Sequence, residues 1–168
     1  NQTIRLNPGK SYVKPQRVYR SKVTVNSSAL PALGYTSWHL DFSANGESET
    51  RRDNLSSIEN AFYRIDVEKN GLLTITHKPS GKRYERQMLL VENGDDGDSY
   101  NYSPPRKDLW VTSEHCLMSH AREINALKQT LNLNYALKVP GDLAARAQGI
   151  TDGLMPVAVT VTLQQDAL

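Results

Sequence analysis

Apolar and polar side chains alternate along several stretches of this sequence, and that alternation constrains the fold more than any other feature. In residues 131–139, leucine, tyrosine and valine fill every second position, while asparagine, alanine and lysine lie between them. Residues 155–163 repeat the pattern with methionine, valine and leucine. A period of two puts the apolar side chains on one face of a β-strand, whereas a helix needs apolar residues three or four positions apart. The pattern therefore predicts strands with one buried face.

Turn signals between these stretches predict that neighbouring strands pair antiparallel. Asn70-Gly71 is the strongest short signal for a β-hairpin, and Lys78-Pro79-Ser80-Gly81 has proline and glycine where a tight turn favours them. Residues 140–154 break the alternation and are expected to form one short helical turn. Strands are predicted over 63–67, 72–76, 82–92, 109–112, 123–139 and 155–163. The predicted fold class is all-β, as an antiparallel β-sandwich.

A polar stretch divides the chain. Residues 1–42 carry β signals interrupted by prolines, and residues 43–57 are polar except for Ala44 and Leu55. Such a composition is typical of a linker or an exposed loop, so a domain boundary is predicted there. The β pattern is cleaner over residues 58–168, which are expected to form the main domain.

Composition and charge exclude several classes of protein. The chain has 20 basic and 18 acidic residues, mixed along its length, so no electrostatic argument for nucleic-acid binding arises. No apolar run approaches the roughly 18 to 20 residues that a membrane-spanning helix requires. Cys116 is the only cysteine, which excludes an internal disulfide framework and fits a reducing cytoplasm. Since no secretory signal opens the chain, we expect a cytoplasmic location.

The two ends of the sequence suggest an excised piece of a longer protein. Asn1 stands where an initiating methionine would be expected, and the chain stops soon after the predicted strand 155–163. A strand at the end of a sheet leaves unpaired backbone groups along one edge unless something covers them. Oligomerisation through such exposed strand edges is therefore a candidate interaction.

Residues 93–105, called here the acidic loop, concentrate polar and turn-forming residues. Gly94 and Gly97 permit sharp turns, and Pro104-Pro105 stiffens the exit. Its chemically notable side chains are three aspartates and two tyrosines: Asp95, Asp96, Asp98, Tyr100 and Tyr102. Carboxylates accept hydrogen bonds from sugar hydroxyls, and a phenol offers a ring and a donor. The composition suits sugar recognition, but an acidic surface turn between two strands would look the same.

Metal sites have little support in the sequence. His115, Cys116 and His120 could supply three ligands, but their spacing matches no standard zinc pattern, and five residues along a strand put the two histidines on opposite faces. His39 and His77 have no neighbouring ligands in the sequence. The aspartates of the acidic loop could attract calcium, yet their spacing is not that of an EF-hand and the terminal glutamate is missing. We expect no metal site in this chain.

Catalytic motifs are also missing from the sequence. Neighbouring aspartates on one loop cannot straddle a glycosidic bond, which needs carboxyl groups roughly 5 to 9 Å apart on opposite sides of the sugar. No Ser/His/Asp order and no glycine-rich phosphate loop occurs. Trp38 and Trp110 could stack on sugars, but both lie inside strand patterns and are expected to pack in the core.

Residues 94–105 resemble the signature loop of bacterial glycoside hydrolase family 38 α-mannosidases, which typically reads Asp-Gly-Asp-Glu-Tyr-(Asp/Asn)-Tyr-Ser-Pro. Three further stretches resemble the same family in the same order along the chain: residues 30–35, residues 58–65 with 71–73, and residues 80–84. The resemblance extends over about residues 20 to 165, and it is closest to the mannosylglycerate hydrolase type.

This resemblance implies the non-catalytic C-terminal β-sandwich portion of a zinc-dependent retaining α-mannosidase that hydrolyses terminal α-mannosides. Residues 58–168 would then be the N-terminal part of a large sandwich, a truncated galactose mutarotase-like supersandwich, and residues 1–42 the remnant of a smaller β-domain. In the family the zinc, the nucleophile and the acid/base lie mainly in an N-terminal α/β domain. The His-x-Asp-Pro zinc motif of that domain does not occur here. No catalytic residue and no cofactor is therefore expected in this chain, and zinc is expected in the missing catalytic domain.

The resemblance also implies that the acidic loop reaches toward the catalytic domain and lends a tyrosine to the mannose pocket. Tyr100 matches that tyrosine best, while Ser99 stands where glutamate is common. The predicted substrate-binding residues are Tyr100, Asp98, Asp96 and Tyr102. Two alternatives remain open: a carbohydrate-binding module without catalysis, in which the same loop holds a sugar, and a purely structural scaffold.

Overall fold

A computed structural model of the protein describes residues 33, 35, 37 and 50–165. The strands predicted within residues 1–42 fall, apart from those three positions, outside the described residues, as does Trp38. The described part contains one helix, α1 (Leu143–Gln148), and the following strands: β1 (Arg51–Asp53), β2 (Ser57–Glu59), β3 (Tyr63–Val67), β4 (Leu73–His77), β5 (Lys82–Gln87), β6 (Val91–Glu92), β7 (Val111–Thr112), β8 (Leu117–Ile124), β9 (Lys128–Val139) and β10 (Gly153–Gln164). No helix in this part is long and apolar enough to cross a membrane.

The strands form two four-stranded sheets and one two-stranded sheet. Sheet A has the order β1-β8-β9-β10, sheet B has the order β2-β3-β4-β5, and β6 pairs with β7. Every paired neighbour runs antiparallel. The turn at Asn70-Gly71 joins β3 to β4 as predicted, with Gly71 at φ 82° and its amide donating to Glu68 O.

The hydrophobic core lies between sheets A and B. Sheet A contributes alternate residues of β9, whose buried side chains are Leu131, Leu133, Tyr135 and Leu137, the face that the sequence predicted. Sheet B contributes Ile58, Ile65 and Leu73 to the same cluster. Since each sheet buries one face against the other, the predicted all-β antiparallel sandwich is confirmed.

The predicted strand 82–92 is wrong as a single element. It divides into β5, which pairs with β4, and β6, which pairs with β7. Arg86 and Met88 have φ values of 56° and 62°, a left-handed conformation that interrupts the pleat of a strand. The predicted strand 109–112 is likewise shortened to β7, and the run 123–139 belongs to two strands joined by a turn at Asn125.

Part of the predicted linker belongs to the sheets. Within residues 43–57, β1 pairs with β8, and Ser57 begins β2. Arg122 on β8 donates from Nε and Nη2 to the two carboxylate oxygens of Asp53, at 2.9 and 2.7 Å, and from Nη1 to Ser57 O. These hydrogen bonds from Arg122 lower the pKa of the Asp53 carboxyl. The polar composition of β1 did not indicate a strand, because the ion pair between Asp53 and Arg122 stabilises its pairing with β8. The division into domains stays a prediction.

Helix α1 occupies the segment that was expected to form one short helical turn. Asp142 caps its N-terminus by accepting a hydrogen bond from Ala145 N at 2.7 Å. Gly149 ends the helix in the left-handed region, with φ 71°, and its amide donates back to Arg146 O. Two caps stabilise a helix too short to persist alone, and they fix the position of Arg146.

Replacement of Tyr135 by phenylalanine is expected to lower the free energy of unfolding by about 1 to 3 kcal/mol, because it leaves a buried carbonyl without its donor. The Tyr135 hydroxyl donates to Gly71 O at 2.6 Å, between the two sheets. Burial raises the pKa of this phenol above its usual value. The measurement is urea-induced unfolding of both proteins at pH 7.

The same pair of proteins tests the pKa shift. The folded protein keeps the phenol protonated above pH 10, while the unfolded chain releases the proton at about pH 10. The stability that Tyr135 contributes is therefore complete below pH 10 and declines as the pH rises further. We expect the difference between wild type and Tyr135→Phe to shrink from pH 9 to pH 11; a constant difference would contradict the shift.

Candidate functional site

The acidic loop lies on the connection between β6 and β7. Glu92, the last residue of β6, pairs with Val111, the first residue of β7, so the two ends of the connection are held side by side. Residues 98–102 at the far end of the loop are all exposed. The loop therefore starts and ends at the same short sheet, and its tip is accessible to a ligand or another domain.

Asp95 holds the two sides of the loop together. Its Oδ1 accepts hydrogen bonds from Gly97 N at 2.8 Å and Ser103 N at 2.9 Å, while Asp96 N donates to Ser103 O at 2.8 Å. The hydrogen bonds from Ser103 and Gly97 lower the pKa of the Asp95 carboxyl. This carboxylate is thus engaged in the architecture of the loop, which explains its presence without any ligand.

Asp98 performs a similar task at the tip. Its Oδ1 accepts from Tyr100 N at 2.8 Å and Asn101 N at 2.9 Å, and these bonds lower the pKa of its carboxyl. Gly97 lies just before Asp98. A Cβ at Gly97 would lie only 1.9 Å from Asn101 O, so any larger residue would force the turn open. The turn orients the backbone at Tyr100, while the second oxygen of Asp98 takes part in no described hydrogen bond.

The remaining predicted site residues differ in how free their side chains are. Tyr100 is 93% exposed, and its hydroxyl has no hydrogen-bond partner among the described residues. Tyr102 is 59% exposed, and its hydroxyl accepts a hydrogen bond from Asn93 Nδ2 at 2.8 Å. Asp96 is exposed, with no described partner for its carboxylate. Tyr100 and Asp96 are therefore the members of the predicted set whose side chains have no described hydrogen bond.

A cluster of three charged residues lies under the base of the loop: Arg146, Glu92 and Asp108. Arg146, only 6% exposed, donates from Nη2 to Glu92 Oε1 and from Nη1 to Asp108 Oδ1 at 3.2 Å. Its Nη1 also donates to Leu109 O. One guanidinium thus joins helix α1 to both ends of the β6–β7 connection. The sequence does not indicate this cluster, because its members are 16 and 38 positions apart, at no spacing that is typical of an association.

Gly94 fits closely against this cluster. A Cβ at this position would lie 2.5 Å from the Arg146 side chain and 2.6 Å from Pro105. The amide of Gly94 also donates to Asp108 Oδ1 at 3.0 Å. Absence of a side chain at Gly94 therefore lets the first residues of the loop lie close to both the Arg146 side chain and Pro105.

Other residues considered as sites are placed differently from the predictions. The prediction that Trp110 packs in the core is wrong, since its side chain is 67% exposed next to β7. His115 lies before β8, at φ 65°, instead of within a strand, and His120 Nε2 lies 3.0 Å from Asn54 O. Within residues 33, 35, 37 and 50–165, no three histidine, cysteine or acidic side chains are grouped to hold a metal ion.

Comparison with known proteins finds one similar curated protein and two similar solved structures. No protein-family model matches the sequence. A "Putative mannosylglycerate hydrolase" of Halalkalibacterium halodurans is 24% identical over 139 residues, which are 79% of this chain and 16% of that protein. The chain is thus similar to part of a putative mannosylglycerate hydrolase. The resemblance predicted from the acidic loop is confirmed in this form.

Two solved structures from Enterococcus faecalis agree with this result. One is a protein in glycosyl hydrolase family 38, with a TM-score of 0.54, and the other is an α-mannosidase, with a TM-score of 0.56. Each is 22% identical and matches 67% of this chain, but only 16% and 15% of its own length. At this identity they support the fold alone. The chain thus spans about a sixth of the relatives that it matches.

Proposed function

We propose that this chain is a non-catalytic β-sandwich portion of a zinc-dependent retaining α-mannosidase that hydrolyses terminal α-mannosides. The acidic loop would contribute to the sugar pocket. The observation that carries the proposal is the loop itself: a tip held by its own hydrogen bonds, with Tyr100 and Asp96 exposed and without described partners for their side-chain polar groups. The partial similarity to the curated relative supports the choice of reaction.

The catalytic groups and the zinc are assigned to a domain outside this chain. The described residues do not fit a zinc site, because they bring no three metal-binding side chains together. A retaining glycosidase needs two carboxyl groups on opposite sides of the sugar, and Asp95 and Asp98 are committed to backbone amides on one loop. The α-mannoside would therefore reach the loop through the catalytic domain, and a cytoplasmic location remains part of the proposal.

Assay of the 168-residue chain on an aryl α-mannoside, with zinc added, tests the assignment. We expect no turnover above that of a boiled control, because the chain would lack the nucleophile and the acid/base. The matched positive control is the longer enzyme that contains the catalytic domain. Turnover by the 168-residue chain alone would refute the proposal.

Replacement of Tyr100 by phenylalanine in the full-length enzyme is expected to lower kcat/KM by roughly 2- to 12-fold. That range corresponds to the loss of one neutral hydrogen bond, about 0.5 to 1.5 kcal/mol. Tyr102→Phe is the matched control, and it should lower kcat/KM less because the Tyr102 hydroxyl already bonds to Asn93. If the order is reversed, Tyr102 is the pocket residue. If neither variant differs from wild type, the loop is a scaffold.

A carbohydrate-binding module without catalysis is the second candidate. The exposure of two aromatic side chains, Tyr100 on the loop and Trp110 at its return, favours it, because sugars stack on exposed rings. Titration calorimetry of the 168-residue chain with mannose distinguishes the two functions. A binding module should give saturable binding that Trp110→Ala weakens, whereas half of a composite pocket should give none.

A further inference from the structure

Asp108 connects the start of the acidic loop with the segment beyond its end through one oxygen atom. Its Oδ1 accepts hydrogen bonds from Gly94 N at 3.0 Å and from Leu109 N at 2.8 Å. Arg146 Nη1 donates to the same oxygen at 3.2 Å. This carboxylate oxygen therefore fixes how far apart the two sides of the loop lie, and Arg146 holds the carboxylate in place.

The guanidinium of Arg146 also bonds directly to both sides of the loop. It donates from Nη2 to Glu92, the residue before the loop, and from Nη1 to Leu109 O, after the loop. A guanidinium is planar and its N–H groups diverge at fixed angles, so bonds to two segments fix their relative orientation as well as their distance. The side chain is buried, so water competes little for these bonds.

The loop that rises from this base holds its own shape. Asp95 accepts from Ser103 N across the loop, and Asp98 accepts from Tyr100 N at the tip. A loop of fixed shape moves as a unit when its base moves. Gly94 and Tyr100 are six positions apart and can be separated by at most roughly 20 Å, so a tilt of about 10° at the base would displace Tyr100 by up to about 3 Å.

We propose that Arg146 is a positioning residue, which sets the orientation of the acidic loop and thereby the place of Tyr100 in the sugar pocket. The inference rests on the proposed function, in which the loop contributes to that pocket. Arg146 has no described bond to residues 98–102, so it acts through the base of the loop. A binding group must be held within about 0.5 Å and 10 to 20° of its productive geometry, which the tilt estimated above would exceed.

Arg146→Lys in the full-length enzyme tests the proposal, because lysine keeps the positive charge but cannot form the planar fork. We expect kcat/KM to fall by roughly 2- to 100-fold, from the loss of one hydrogen bond to the sugar up to the effect of a displacement of about 1 Å. The loss should appear in the same parameter, kcat or KM, that Tyr100→Phe changes, because Arg146 acts through the loop.

A double-mutant cycle shows whether Arg146 acts through Tyr100. In the Arg146→Lys enzyme, Tyr100→Phe should lower kcat/KM by less than about 2-fold, since the phenol is already displaced. If Tyr100→Phe has no effect on the wild-type enzyme, the proposed role of the loop fails and this inference fails with it. If Tyr100→Phe lowers kcat/KM by the same factor in both backgrounds, the proposed function stands and the positioning role is overturned.

Arg122→Lys is the matched control for a general loss of stability. The Arg122 side chain is 14% exposed, and it too donates to a carboxylate from two nitrogens and to a carbonyl oxygen. Its partners, Asp53 and Ser57, lie on β1 and β2, so its described hydrogen bonds do not involve the loop. Arg122→Lys should therefore leave kcat/KM unchanged. Equal losses from Arg122→Lys and Arg146→Lys would overturn the proposal.

Gly94→Ala keeps the proposal testable if Arg146→Lys fails to fold, because it moves the base of the loop and alters no charged group. The backbone of Gly94 lies outside the left-handed region, so the contacts of the new Cβ, 2.5 Å from Arg146 Cδ and 2.6 Å from Pro105 Cγ, oppose the change. The loop must shift to relieve them, and Tyr100→Phe should then have little further effect. A folded Gly94→Ala enzyme with wild-type kcat/KM and the full effect of Tyr100→Phe would contradict the proposal.

Discussion

Arg146→Leu is expected to lower the free energy of unfolding of this chain by about 3 to 5 kcal/mol, the loss that follows when one partner of a buried ion pair is removed. The guanidinium is nearly inaccessible and donates to Glu92, Asp108 and the carbonyl of Leu109. Without it, two half-buried carboxylates face each other with no cation between them. Urea-induced unfolding, followed by circular dichroism, measures the change.

Arg64→Leu is the matched control for this prediction. Arg64 also bonds to an acidic residue, Asp66, but Arg64 is exposed and Asp66 is only partly buried, and such surface pairs contribute about 0 to 1 kcal/mol. In addition, Glu92→Gln combined with Arg146→Leu should recover part of the loss, because one uncompensated charge is removed. Equal effects of Arg146→Leu and Arg64→Leu would mean that water reaches the cluster.

The same variant should alter the acidic loop. Arg146 connects α1 with both ends of the loop, and Gly94 packs directly against its side chain. Loss of the guanidinium should therefore make the loop more susceptible to limited proteolysis than the rest of the sandwich. The hydrogen bonds of Asp95 and Asp98 lie within the loop, so its tip should keep its turn even when its base is loosened.

Leu133→Ala is expected to lower the free energy of unfolding by about 2 to 5 kcal/mol, because it removes apolar surface from the core and leaves a cavity. Leu133 is 1% exposed in the middle of β9, where it packs between sheets A and B. The decrease should appear as a lower urea midpoint with an unchanged slope, since the extent of unfolding is the same.

Leu154→Ala provides the control on the neighbouring strand. Leu154 is 66% exposed on β10, and its side chain points away from the core, so its removal should change stability by less than about 0.5 kcal/mol. Similar losses for Leu133→Ala and Leu154→Ala would contradict the assignment of the core to alternate residues of β9.

Local patterns in the sequence predicted the elements that depend on nearest neighbours. The alternation in residues 131–139 identified the buried face of β9, and Asn70-Gly71 identified the hairpin between β3 and β4. Asp142 and Gly149 cap the two ends of a helix in the segment that was expected to contain one helical turn. These succeeded because strand periodicity, turn conformation and helix capping are decided within a few residues.

Errors occurred where a distant partner decides the outcome. The chain pairs with β4 up to residue 87, and residues 91–92 then pair with β7 in a different sheet. No local property of residues 82–92 predicts that change of sheet. Arg51–Asp53 resembled a linker because the partner that makes it a strand, Arg122, is far along the chain. Trp110 was expected in the core because it lies beside apolar residues. It is exposed because β7 begins only at the next residue, Val111.

Residue patterns alone predicted the all-β character, the buried face of β9 and the acidic loop with its candidate residues. They could not determine which groups of that loop are available, because hydrogen bonds to backbone amides depend on the closed geometry of the turn. Only the tertiary structure engaged Asp95 and Asp98 within the loop, left Tyr100 unpaired, and brought Arg146 beneath Glu92 and Asp108. Alternation and turn chemistry act over a few residues, whereas the burial of a charge cluster depends on packing between segments that fold together from distant parts of the chain.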